Sequence, residues 1–172
     1  MQRKYLVLSF LMLVIYCLPA QESMDNAKIQ ELLENTFDKV EGVSGNWQVI
    51  CEQRVLFILT NEPHNRMRIF TPVINQKELK KGEMESMLNA NFHAALDAKY
   101  ALYGEFVVSL FTHPLREIQI HQFLDALKQV ATAANNFGTT FSSTDIIFGG
   151  NSEKANDSDS EKKINQKPGK KS

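Results

Sequence analysis

Among the side chains able to do chemistry in this 172-residue chain, the four histidines and two cysteines come first. His93 and Asp97 stand four apart in a stretch with helical apolar spacing. That would put both on one helix face, where an imidazole and a carboxylate can share a metal ion. Two ligands leave such a site incomplete, because zinc takes at least three from the protein. His64 falls in the turn-like Asn61–Asn65 stretch, His113 precedes Pro114, and His121 lies beside an apolar helical stripe. No glycine-rich phosphate loop opens a helix, since Gly149-Gly150 leads only into a polar tail, and there is no G-x-S-x-G elbow. Cys51 alternates in phase with Trp47 and Val49, which predicts a buried structural thiol; a nucleophile would need an activating neighbour. The reading is of a protein that is not an enzyme, with no metal and no cofactor.

The elements that must carry these residues follow from apolar periodicity. Ile29, Leu32, Leu33, Phe37 and Val40 fall at helical spacing and predict a first helix over Asp25–Lys39, ended by Gly42 and Gly45. Three strands are expected next: one through Trp47, Val49 and Cys51, one over Arg54–Thr60, and one over Arg66–Ile74. Glu52-Gln53 would join the first two, and Pro72 implies an edge or an end of the third. A second helix over Glu83–Ala98 turns Met84, Met87, Leu88, Asn91, Phe92 and Ala95 inward, with Glu83 and Glu85 at its positive end. Lys99–Tyr103 and Glu105–His113 read as two further strands about Gly104. Ile120, Phe123, Leu124, Leu127, Val130, Ala131 and Ala134 mark a third helix over Arg116–Asn136. Thr139–Gly150 reads as a loop or short extended piece. The fold class is α+β, in the order α-β-β-β-α-β-β-α, an antiparallel sheet packed with helices.

Composition bounds the partners. Nineteen Lys and Arg face twenty Asp and Glu, so no concentrated basic face marks a nucleic-acid binder. Two cysteines exclude a disulfide-rich scaffold. Arg3 and Lys4, the apolar run Tyr5–Leu18 and the small-residue end Pro19-Ala20 have the three parts of a secretory signal peptide. Residues 1–20 are therefore expected to be a leader, residues 21–150 the domain, and the location exported, either periplasmic or secreted. A membrane partner enters only if the leader is retained as an anchor. Residues 151–172 carry six lysines against four acidic residues and almost nothing apolar, which predicts a disordered polar tail.

Several packing residues stand in a recognisable order. They are Leu88, Ala90, Asn91 and Phe92; then Val108, Ser109 and Leu110; then His113, Pro114 and Leu115; then Phe123, Leu127, Ala134 and Phe137. In this order the chain resembles the class I type III secretion chaperones and the related YbjN-like proteins, across roughly residues 24–141. That family has an L-x-A-N-[LF]-like stretch, a V-x-L strand, a P-L turn and a long F-x-x-x-L helix. The resemblance implies a small, acidic, non-enzymatic homodimer that holds a segment of a client protein along hydrophobic patches. It also implies work in the cytoplasm, against the leader-like start. On that basis Leu33, Phe37, Phe57 and Ile69 are candidates for a client groove, and Met84, Met87 and Phe106 for the dimer seam. Methionine-rich surfaces adapt to varied partners. The competing expectations are a small-ligand protein or enzyme on the same scaffold, with a pocket near His93 and Asp97, and a membrane-tethered accessory protein.

Overall fold

Asp25 starts the first helix in the way its side chain allows: the carboxylate accepts from the Lys28 N–H at 2.9 Å. The computed structural model describes residues 23–144, so the expectations for residues 1–20 and 151–172 lie outside the described residues. Helix α1 (Asn26–Thr36) stops short of Lys39. Asn35, Thr36 and Phe37 are weak helix formers, and the Thr36 hydroxyl bonds back to the Leu32 carbonyl at 2.6 Å.

The chain then turns at once into a strand that the periodicity had hidden. Strand β1 (Val40–Val43) includes Val40, which continues the helical stripe, and Gly42, which reads as a terminator. Gly42 instead lets β1 fold back on β2 (Asn46–Cys51): its φ is +110°, and a Cβ there would meet the Asn46 carbonyl oxygen at 2.2 Å. The remaining elements are β3 (Arg54–Asn61), β4 (Arg66–Asn75), a 3-10 turn (Gln76–Glu78), α2 (Glu83–His93), β5 (Lys99–Tyr103), β6 (Phe106–His113) and α3 (Ile120–Asn135). They build an α+β fold whose six-stranded antiparallel sheet has the order β1-β2-β3-β4-β6-β5.

Glu52 and Gln53 make the β2–β3 turn with φ of +47° and +65°. Left-handed backbone costs a non-glycine residue about 1 kcal/mol or more, and α3 holds the turn in place. Asn135 donates to the Glu52 carbonyl at 2.9 Å, while Arg54 donates to Asn135 Oδ1 at 2.7 Å and to the Ala134 carbonyl at 3.1 Å. Pro72 sits in β4, an interior strand; the pairing of β4 with β3 ends at Phe70, and a register shift follows at Pro72–Ile74. The missing N–H therefore falls where β3 no longer needs it.

Strand alternation gives the sheet two unlike faces. One turns Trp47, Val49, Leu56, Ile58, Met67, Ile69, Val107 and Phe111 toward the helices, all of them buried. Helix α3 lies across this face with Phe123, Leu127 and Val130, and its Ala126, Ala131 and Ala134 let the backbone come close. Full burial of a Phe or Leu side chain stabilises by about 1.5–3 kcal/mol. Helix α1 packs on the same face: Trp47 Nε1 donates to Gln30, and the Thr60 hydroxyl donates to Asn26 at 2.6 Å. Helix α2 flanks the β5 edge. The opposite face carries no helix among the described residues.

Candidate binding surface

The helix-free face has an apolar middle, with Gln48, Arg68, Lys99 and Thr112 around it. Register places Phe57 beside Phe70, Phe70 beside Leu110, and Val108 beside Ala101. Phe57 stacks on Phe70 with ring centroids 5.2 Å apart, and Phe70 meets Tyr103 edge-on at 6.0 Å. Phe57, Leu59, Phe70 and Leu110 are only half-buried, so this surface is open to solvent. A groove of about 260 Å³ crosses it, lined by Leu59, Arg68, Phe70, Ala101, Leu102, Tyr103, Val108 and Leu110. A second cleft, of about 430 Å³, lies beyond the end of α1 among Phe37, Ile50 and Val55.

A further apolar surface runs along α2. Met84, Leu88 and Phe92 are 39%, 63% and 76% exposed, and they stand at i, i+4 and i+8, one outward stripe. The helix had been expected to turn all its apolar residues inward. Met87 and Ala90 do so, while the next stripe around the helix faces solvent. Leu102, Tyr103 and Phe106 are exposed at the turn end of the β5–β6 hairpin. Contiguous exposed apolar area of this kind marks interaction surfaces on soluble proteins.

The client-groove candidates separate by depth. Phe57 stands on the open face and Phe37 lines the second cleft. Leu33 and Ile69 pack in the core with no exposed surface, because α1 and α3 cover the face they share. Of the seam candidates, Met84 and Phe106 reach the surface and Met87 is buried under α2. Sequence reasoning passed over Leu88, Phe92 and Arg68. The i, i+4, i+8 spacing of the first two with Met84 was a legible signal; nothing local distinguishes Arg68 from any other strand arginine.

The polar candidates do not converge. Helix α2 ends at His93, and Leu96 turns left-handed at φ +48°, so Asp97 leaves the helix and the pair no longer shares a face. The Asp97 N–H instead donates to Gln129 Oε1 at 3.1 Å, and Gln129 donates to Asp125 at 2.6 Å. Among the described residues no group of three or more His, Cys, Asp or Glu is placed to hold a metal. Cys51 is half-buried on the Trp47 face; burial first, then the negative charge of Glu52, pushes its thiol pKa up and keeps it protonated. Tyr100 is buried and donates from its hydroxyl to the Ala133 carbonyl at 2.6 Å, and burial raises its pKa.

No family model matches the sequence, and no curated protein matches it. Solved structures do. The type III secretion chaperone SycH of Yersinia pestis, in complex with a stable fragment of YscM2, matches with a TM-score of 0.50 at 14% identity, covering 65% of this chain and 98% of that one. The HopA1-SchA chaperone-effector complex matches with a TM-score of 0.50 at 10% identity, covering 65% and 94%. The ExsC-ExsE complex matches with a TM-score of 0.49 at 15% identity, covering 64% and 92%. At such identities the likeness is one of fold. It corrects the expected export, periplasmic or secreted: the type III secretion chaperones that share this fold are cytoplasmic proteins, so the likeness runs against the location read from residues 1–20. No helix among the described residues is long and apolar enough to cross a membrane. In fold, this chain is similar to the type III secretion chaperones.

Proposed function

We propose that the protein is a non-enzymatic, chaperone-like binding module that holds a segment of a client protein on the helix-free face of its sheet. The observation that carries this reading is the row of half-buried Phe57, Phe70 and Leu110, an apolar stretch of sheet that no helix covers among the described residues. An antiparallel sheet can leave one face to water when that face is polar, but an apolar face left open is the kind of surface that a partner covers. The fold supports the reading, because the solved structures like it include a chaperone–effector complex. The α2 stripe of Met84, Leu88 and Phe92 is a second apolar surface and serves a homodimer seam, while the other exposed seam candidate, Phe106, is in phase with Val108 and Leu110 on the sheet.

The test is site-specific photocrosslinking in the native host. A benzophenone side chain at Phe57 should trap one discrete partner protein, and the same probe at exposed Glu31 on the outer side of α1 should trap none. Equal adducts from both positions, or none from Phe57, would remove the reading.

A further inference from the structure

The groove on the open face has one charged residue in an otherwise largely apolar lining, while Gln48, Lys99 and Thr112 lie elsewhere on the same face. Arg68 lies in β4 with Leu59 on one side and Thr112 on the other, and with Phe70 next along the strand on the same face. It lines the groove among Leu59, Phe70, Val108 and Leu110. Arg68 is exposed, and it makes no hydrogen bond or ion pair with any described residue. The other charges on and around this face are engaged. Lys99 donates from Nζ to the carbonyls of Asn91 and Leu96, and Arg66 donates to the Asn65 carbonyl. Glu41 pairs with Lys39, and Glu105 pairs with Lys77. An apolar occupant laid over this face would strip water from the guanidinium and leave it unpaired, at substantial cost. An occupant carrying a carboxylate at that point turns the cost into a charge-assisted, bidentate contact.

The shape of the face narrows the occupant further. The groove spans strands β3, β4, β6 and β5, three inter-strand spacings, or roughly 14 Å. Over the middle of a sheet the strand backbones are already paired with each other and offer no hydrogen bonds. A segment lying there must satisfy its own N–H and C=O groups, which a helix does and an isolated strand does not. A helix of about 10 Å diameter fits a groove of this width.

We infer that the face is built for an amphipathic helix of a partner protein with one Asp or Glu inside its apolar stripe, and that Arg68 selects for that carboxylate. The inference rests on the binding role proposed above and names the chemistry of the partner.

The experiment uses the full chain and three fluorescein-labelled 18-residue amphipathic helical peptides. They are identical except for Glu, Gln or Lys at the centre of the apolar face. Fluorescence anisotropy with the native protein should rank them Glu, Gln, Lys, with about fivefold between the first two, the worth of a partly screened ion pair. Arg68→Glu, a surface change, should reverse the order, and Arg68→Leu should flatten it. Equal binding of all three by native protein and Arg68→Glu would overturn the selectivity while leaving the binding role intact. Binding of a strand-forming peptide of the same composition, with no helical peptide bound, would overturn the helical occupant alone. Binding of dodecanoate but of no peptide would make the groove a lipid site and overturn both inference and role. A shift from dimer to monomer in Arg68→Glu on sedimentation would make the occupant a second copy and overturn the inference.

Discussion

The side-chain amide of Asn91 makes both outward backbone hydrogen bonds of Tyr100: it accepts from the Tyr100 N–H at 2.7 Å and donates to the Tyr100 carbonyl at 3.0 Å. One residue of α2 thus stands in for a missing strand at the β5 edge, which would otherwise offer unpaired backbone to other chains. Replacing Asn91 by Ala leaves both groups unsatisfied in a largely buried place. We expect Asn91→Ala to lower unfolding free energy by about 1–3 kcal/mol, read as a lower urea midpoint. Amide exchange at Tyr100 should quicken in the same variant, and unchanged exchange would contradict this account of the edge.

The Tyr100 phenol provides a pH signature. Burial raises its pKa above the ordinary value of 10.0. In the unfolded chain the group ionises near pH 10 while the folded protein keeps it neutral. Its contribution is therefore complete below pH 10 and is lost as pH rises further. Stability should fall above that point by up to about 1.4 kcal/mol per pH unit. Tyr100→Phe should lack this component and, having lost the bond to Ala133, be weaker at neutral pH by about 1 kcal/mol. Urea titrations of both proteins from pH 8 to 11 check it; parallel curves would refute the assignment.

Two glycines of the same sign of φ should respond differently to alanine. Gly104 has φ +58° and nothing within 4 Å of an added Cβ, so Gly104→Ala meets only the left-handed backbone cost of about 1–2 kcal/mol. Gly42→Ala adds a collision with the Asn46 carbonyl and should cost about 3 kcal/mol or more. Thermal melts followed by circular dichroism rank the pair, and equal losses would show that β1 contributes little.

The outward stripe of α2 makes its own prediction. Leu88 and Phe92 are largely exposed, so Leu88→Lys with Phe92→Lys should leave the fold of the single chain intact, at about 0.5 kcal/mol or less per site apart from any stabilisation lost with the dimer. If the stripe is the seam, sedimentation equilibrium will show the native chain as a dimer and the double variant as a monomer. A native monomer would remove the seam.

Most elements could be read from apolar spacing, because each helix and long strand buries one regular stripe. The α3 stripe is the plainest case: Phe123, Leu127, Val130, Ala131 and Ala134 face inward as predicted, whereas Ile120, predicted inward, is exposed in the first turn, and Ala126, Gln129 and Ala133 widen the buried face beyond the predicted stripe. The losses came where one pattern serves two structures. Val40 fits the α1 stripe and also begins β1, and four residues interrupted by Gly42 are too few to show a period of two. In α2 the apolar residues fill two stripes, and spacing alone does not say which meets the sheet. The site was less legible than the fold. Phe57 and Ile69 are both apolar residues in strands, and only the register and the placement of α1 and α3 put one on the open face and the other in the core.

The central claim is that the uncovered sheet face is where a partner lies. Backbone amide shifts of the full-length protein, recorded during titration with the Glu-bearing helical peptide, test it most directly. The account predicts perturbations concentrated at Phe57, Phe70, Ala101, Val108 and Leu110, with the outer surfaces of α1 and α3 silent. Perturbations confined to those helices, with the sheet residues unmoved at saturation, would contradict it.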